Sequence, residues 1–115
     1  MTKYLILMLF PVMGFARDFP ESHYQNNWCK GQIEYVLPDR SRVDCLTDTH
    51  AIEIDFADKW AESIGQALYY ASETGRKPGV ALISENPAKD MKYIERWHGA
   101  ARGLNIKLWI ITNVR

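Results

Sequence analysis

The sequence predicts an α/β domain: a three-stranded antiparallel meander followed by helix, strand, helix and strand, assembled as a mixed sheet flanked by helices. Three observations predict it. Three short β-like runs are separated by the turn-forming stretches Pro38-Asp39-Arg40-Ser41 and Thr47-Asp48-Thr49-His50. From Asp58 the apolar period changes from that of a strand to that of a helix. Two further apolar runs alternate with helical segments, the pattern of strands covered by helices.

The elements follow in order. Residues 1–16 carry Lys3, an almost unbroken apolar run from Tyr4 to Phe15, and the small-x-small ending Gly14-Phe15-Ala16. That layout reads as a secretory signal peptide, leaving 17–115 as a single domain, exported to the periplasm or secreted. The competing reading is a buried first strand or helix. A membrane helix needs ~20 apolar residues, and this run is shorter and contains Pro11, so no membrane span is expected after signal removal. Residues 21–30 predict a short helix ending at Gly31, with Tyr24 and Trp28 on one face.

The meander strands are expected over 32–37, 42–46 and 51–56. The third alternates, with Ile52, Ile54 and Phe56 on one face and Glu53 and Asp55 on the other, which is either a chemical face or a solvated one. Asp58 is placed to cap a helix running to Thr74, stopped by Gly75 and Pro78. In that helix Trp60, Ile64, Ala67, Leu68 and Ala71 form an apolar stripe, while Lys59, Ser63, Gln66 and Tyr70 line a neighbouring one. A strand is expected over 79–83. Asn86-Pro87 then supplies a cap and a first-turn proline to a helix ending near Gly103, buried through Ile94, Trp97, Ala101 and Leu104. A final strand covers 106–112. The four tryptophans, Trp28, Trp60, Trp97 and Trp109, fall at core positions and suit packing better than base stacking.

At 115 residues, 47% apolar and 24% charged, the chain suits one compact core. Its net charge is zero, and loss of Lys3 would leave one excess acid, so there is no global basic field for gripping a long stretch of nucleic acid. Arg76-Lys77 is the strongest local basic spot. Cys29 and Cys45 can either bridge, closing a loop worth ~3 kcal/mol in the chain-entropy model, or pack reduced as small apolar residues. No further Cys or His completes a zinc set.

Asp44 and Glu53 lie on successive strands joined by a short turn, so pairing can bring their carboxylates together. Hard oxygen ligands of this kind suit Mg²⁺ or Mn²⁺, which can neutralise charge on a phosphoryl group. Bland readings stand beside this one: Lys59 pairing with Glu62, and Gln66 and Tyr70 as ordinary residues of a helix surface.

The stretch Arg42-Val43-Asp44, a turn, then Ile52-Glu53-Ile54-Asp55 running into a helix with Gln66 and Tyr70, resembles the PD-(D/E)XK nuclease superfamily. The resemblance covers about residues 21–83 and implies a restriction-endonuclease-like core. It implies Asp44 and Glu53 as catalytic metal ligands, with the Ile54 carbonyl as a third, and Gln66 and Tyr70 as site residues. The acid of the family's first helix would correspond to Glu21, with Glu34 competing. The family's lysine comes two residues after the acid, where this chain has Asp55; Lys59, at the start of the following helix, is the substitute. Pro38-Asp39 offers a literal Pro-Asp pair but reads more simply as a turn. The expectation is a small exported member with a variant lysine position, a Mg²⁺- or Mn²⁺-dependent nuclease acting on DNA or RNA. The alternative is a catalytically inactive nuclease-like binding or structural module of the cell envelope.

Overall fold

A computed structural model describes residues 16–113. The segment read as a signal peptide lies, apart from Ala16, outside the described residues. The elements are α1 (Glu21–Trp28), β1 (Gln32–Val36), β2 (Arg42–Leu46), β3 (His50–Phe56), a 3-10 turn (Ala57–Lys59), α2 (Trp60–Thr74), β4 (Lys77–Ser84), α3 (Pro87–Ala101) and β5 (Lys107–Thr112). The order is the predicted one.

The strands form one five-stranded sheet in sequence order, β1-β2-β3-β4-β5. β1, β2 and β3 pair antiparallel, and β3, β4 and β5 pair parallel. Antiparallel strands need only tight turns, whereas each parallel step needs a helical crossover, here supplied by α2 and α3. Both crossover helices cover one face, where Ala67, Trp97 and Ala101 pack on Val80 and Leu82. On the other face α1 sets Tyr24, with Trp28 beside it, against Ile52, Ile54, Phe56, Ala81 and Ile83. β3 and β4 are thereby buried on both sides. That is why β4 reads as a continuous apolar run.

Several boundaries move for identifiable reasons. α1 stops at Trp28 because Cys29 turns to extended backbone and bridges to Cys45, with Cα atoms 5.8 Å apart. Of the two readings left open for these cysteines, the disulfide is the one present. Asp58 does not cap α2: the chain leaves β3 through the 3-10 turn, which delays the helix to Trp60, and Asp58 Oδ1 instead accepts from Arg17 at 2.7 Å. Gly75, at φ 70°, ends α2 in the left-handed conformation that favours glycine, its N–H donating to Ala71 O. Asn86 caps α3 as predicted, accepting from Lys89 N at 3.3 Å.

The buried face of α2 is also rotated from the expected stripe. Ser63, Ala67 and Tyr70 are the buried residues, and Leu68 is exposed. Leu104, expected on the buried side, lies past the end of α3 and is exposed as well. On the outer strand, Glu34 adopts φ 57°, uncommon for a residue with a side chain, at the position opposite Asp44.

Candidate active site

The site begins where β2 and β3 part. Their pairing covers Leu46 with Ala51 and Cys45 with Ile52, and the same register sets Asp44 opposite Glu53. At that point a side chain replaces a main-chain partner: Asp44 Oδ2 accepts the N–H of Ile54 at 2.7 Å. A strand residue projects its N–H and C=O toward the same edge, so the Ile54 carbonyl also points into this fork.

Glu53 and Asp55 alternate to the same face as predicted, yet neither is solvated: they are 4% and 8% exposed. The solvated-face reading fails because α2 lies over them and Glu21 reaches round the open edge of β3. The carboxyls of Asp44 and Glu53 lie against each other and perturb each other's ionisation. With its amide nitrogen turned toward Glu53, Gln66 donates to both of that carboxylate's oxygens, at 3.1 Å to Oε1 and closer to Oε2. Glu21 approaches Asp55 closely enough for the Asp55 charge to act on it. Glu34 lies on the far side of Asp44, contacts it, and pairs with Arg42 at 3.5 Å. The two competing acids therefore both reach the cluster, from opposite sides.

Electrostatics follow from holding Asp44, Glu53, Asp55 and Glu21 in a largely desolvated fork, with the exposed Glu34 at its outer side. Burial, then contact with Asp44, pushes the Glu53 carboxyl well above the usual range, and burial raises Asp44 despite its contact with Glu53 and the hydrogen bond from the Ile54 N–H. Burial, then the charges of Asp55 and Asp44, raises Glu21 to about 7. Burial raises Asp55 to about 6, opposed by the Phe56 N–H and by Lys59. The Tyr70 hydroxyl is raised by burial and by the neighbouring Glu53 and Asp44 charges. Lys59 is exposed and its field reaches Glu21 and Asp55. Among the described residues it makes no ion pair with Glu62; the ion pairs there are Arg17–Asp58 and Arg42–Glu34.

One contributor was not anticipated. Gln25, buried in α1, donates from Nε2 to Glu34 Oε2 at 3.0 Å and to the Asp44 carbonyl at 2.9 Å, tying the helix to β1 and to β2. Its spacing of four from Glu21 puts both on one helix face, a signal hidden behind the apolar Tyr24 and Trp28.

Among the described residues no group of three or more His, Cys, Asp or Glu side chains is arranged to enclose a metal ion. The adjoining Asp44 and Glu53 carboxyls are two hard oxygen groups, one short of such a group. A pair of this kind fits a hydrated hard cation, which keeps several waters and commonly takes one or two carboxylates. Asp39 is remote from the fork in its contacts: it accepts from Ser41 and from the Tyr69 hydroxyl and belongs to the β1–β2 turn. Also among the described residues, no helix is long and apolar enough to cross a membrane. No family model, no curated protein and no solved structure matches this chain.

Proposed function

We propose that this chain is a metal-dependent phosphodiesterase acting on DNA or RNA, built on a restriction-endonuclease-like core. The observation that carries the reading is the register that sets Asp44 against Glu53 at the fork, in mutual contact and largely buried. Asp44 and Glu53 would hold Mg²⁺ or Mn²⁺, with the Ile54 carbonyl at the same edge. Held by these two carboxylates, such a cation would supply Lewis acidity toward a phosphate and offset developing negative charge.

The remaining residues act through this pair. Gln66 fixes the orientation of the Glu53 carboxylate. Gln25 holds the Asp44 main chain to α1. Asp55 occupies the position at which the resembled family carries lysine, and as a carboxyl beside Glu21 it supplies no positive charge. Lys59, on the exposed side of the same cluster, is the cation available to an incoming phosphate. Export belongs to the same reading, supported by the Cys29–Cys45 bridge, which suits an oxidising compartment.

The test is cleavage of single- and double-stranded DNA and of RNA with Mg²⁺ or Mn²⁺, alongside Glu53→Ala. Metal-dependent cleavage lost in the variant is expected. Failure to cut any of these substrates, or full activity in an Asp44→Ala/Glu53→Ala double variant, defeats the proposal.

One observation favours the second reading, an inactive nuclease-like binding or structural module. Glu21 and Asp55 add acids to the fork, and Lys59 is the cation whose field reaches them, a balance that repels phosphate until a divalent ion is bound. Calorimetric titration with Mn²⁺ separates the two. Uptake that disappears in the double variant supports the enzyme; no uptake supports the module.

A further inference from the structure

The four tryptophans do not share one role. Trp97 is 3% exposed and Trp60 packs on the same core, whereas Trp28 and Trp109 are half-buried and line an open pocket of about 470 Å³. This pocket lies on the α1 face, where the parallel strands begin, and shares none of its lining with the acidic fork.

Trp109 forms its floor. Its ring lies against Gly79 of the neighbouring strand, where a Cβ would come within 2.7 Å of Cζ3, so only glycine leaves room for the indole to settle there. Trp28 meets it edge-on, with ring centroids 5.5 Å apart, and His50 does the same at 5.4 Å. The result is an aromatic floor with aromatic walls rather than a filled core.

The rim is polar and cationic. Thr47, Thr49, Asn27 and Lys30 line it, and no carboxylate does. Lys107 Nζ stands 5.1 Å from the Trp109 ring centroid. His50 and Lys77 face each other at the start of β3 and β4, and the His50 imidazole is held below its usual pKa by burial and by the charges of Lys107 and Lys77. Asp48 and Arg76 lie in the adjoining groove, and the Arg76 guanidinium is engaged by the Thr47 carbonyl. An aromatic floor beside the Lys30 and Lys107 ammonium groups complements a flat ring bearing a negative charge. A purely apolar side chain would leave the cations unused, and a free phosphate would leave the indoles unused.

We infer that the Trp28/Trp109 pocket binds a nucleotide unit, its base stacked on the indoles and its phosphate held by Lys30 and Lys107. Stacking on aromatic side chains tolerates any base, because every base offers a π-face. The unit could come from a free mononucleotide or from the end of a nucleic-acid strand; both present the same chemistry. The inference goes beyond the hydrolytic reading and stands without it, since nothing in this pocket requires a metal or cleavage.

The test is NMR titration of the oxidised full chain in EDTA, following the indole N–H signals, with adenosine monophosphate, adenosine, inorganic phosphate and a 5′-phosphorylated dinucleotide. Saturable shifts confined to the Trp28 and Trp109 signals are expected, tighter for the monophosphate than for adenosine or phosphate alone. Tighter binding of the dinucleotide identifies a strand end, and equal or weaker binding a free nucleotide. Trp109→Ala should lower affinity about 5- to 100-fold, the range found when a stacking aromatic is truncated. Because that variant removes packing, Lys30→Glu on the exposed rim serves as the second arm and should weaken binding about fivefold with unchanged folding. No shift of these two indoles with either phosphate-bearing nucleotide, shifts spread equally to Trp60 and Trp97, or undiminished binding in Lys30→Glu would overturn the inference. The EDTA keeps this outcome separate from the cleavage assay.

Discussion

The fork and the tryptophan pocket are built on the same strand and differ in almost every other respect. β3 begins at His50, beside Lys77 and Trp109, and three residues later, ~10 Å along the strand, reaches Glu53 among four other carboxyls. The pocket end is held by a disulfide and aromatic packing and contributes stability. At the fork, acids are held in a place that favours their neutral forms, which costs stability. A chain with zero net charge can therefore carry two opposite local fields. Summed charge says little about what such a protein can bind.

That contrast can be broken at either end. The largest effect is expected for Glu53→Gln, which keeps the shape and removes the charge: metal-dependent cleavage should fall about a thousandfold or more, since a metal's share of transition-state stabilisation is several kcal/mol. The same variant should melt higher than the parent in EDTA at pH 8. A lower melting temperature would show that the fork does not store repulsion. At the other end, replacing Cys29 and Cys45 together by serine should cost ~3 kcal/mol in a denaturant titration, as expected for cutting a loop of this size. A loss below ~1 kcal/mol would mean that packing alone holds that end.

Lys59→Ala should lower cleavage about ten- to a hundredfold, like removal of other preorganised charge-stabilising groups, while Mn²⁺ affinity measured by calorimetry holds or rises. A parallel loss of Mn²⁺ affinity would place Lys59 in support of the ligands instead. The pH dependence is smaller. Glu21 and Asp55 bind protons more tightly in the fold, at about 7 and about 6, than the ordinary values of 4.5 and 3.8. Their contribution to stability is thus complete below about pH 4 and is lost as pH rises through 6 to 7. Melting temperature in EDTA should fall across that window, and Glu21→Gln should flatten the fall; an unchanged slope in the variant would remove Glu21 from the account. Smallest of all, Tyr69→Phe, which removes the exposed bond to Asp39, should leave the midpoint of a denaturant titration unchanged.

The fold was legible wherever punctuation and period agreed. Arg42–Leu46 lies between two turn-rich tetrapeptides and emerges with the predicted ends, and Asn86-Pro87 starts α3 where a cap followed by proline should. The pairing of Asp44 with Glu53 followed from a short turn between antiparallel strands. Legibility stopped where one element acts on another. Alternation gave Glu53 and Asp55 a common face, but only the placement of α2 and Glu21 over it makes that face a buried one. Asp58 has the chemistry of a cap and was displaced by a 3-10 turn that no local pattern announces. Trp28 and Trp109 sit at core-like positions, and what leaves them open is the shape around them.

The positive φ at Glu34 bears on the outer rim of the sheet. β1 is exposed along its whole length and displays Ile33, Tyr35 and Val36, which would invite a second chain to add itself as a sixth strand. A left-handed residue in the middle of that edge interrupts the straight row of donors and acceptors such an intruder would need. Glu34 thus serves two ends at once: its side chain belongs to the acidic fork, and its backbone breaks the regularity of the sheet's exposed edge.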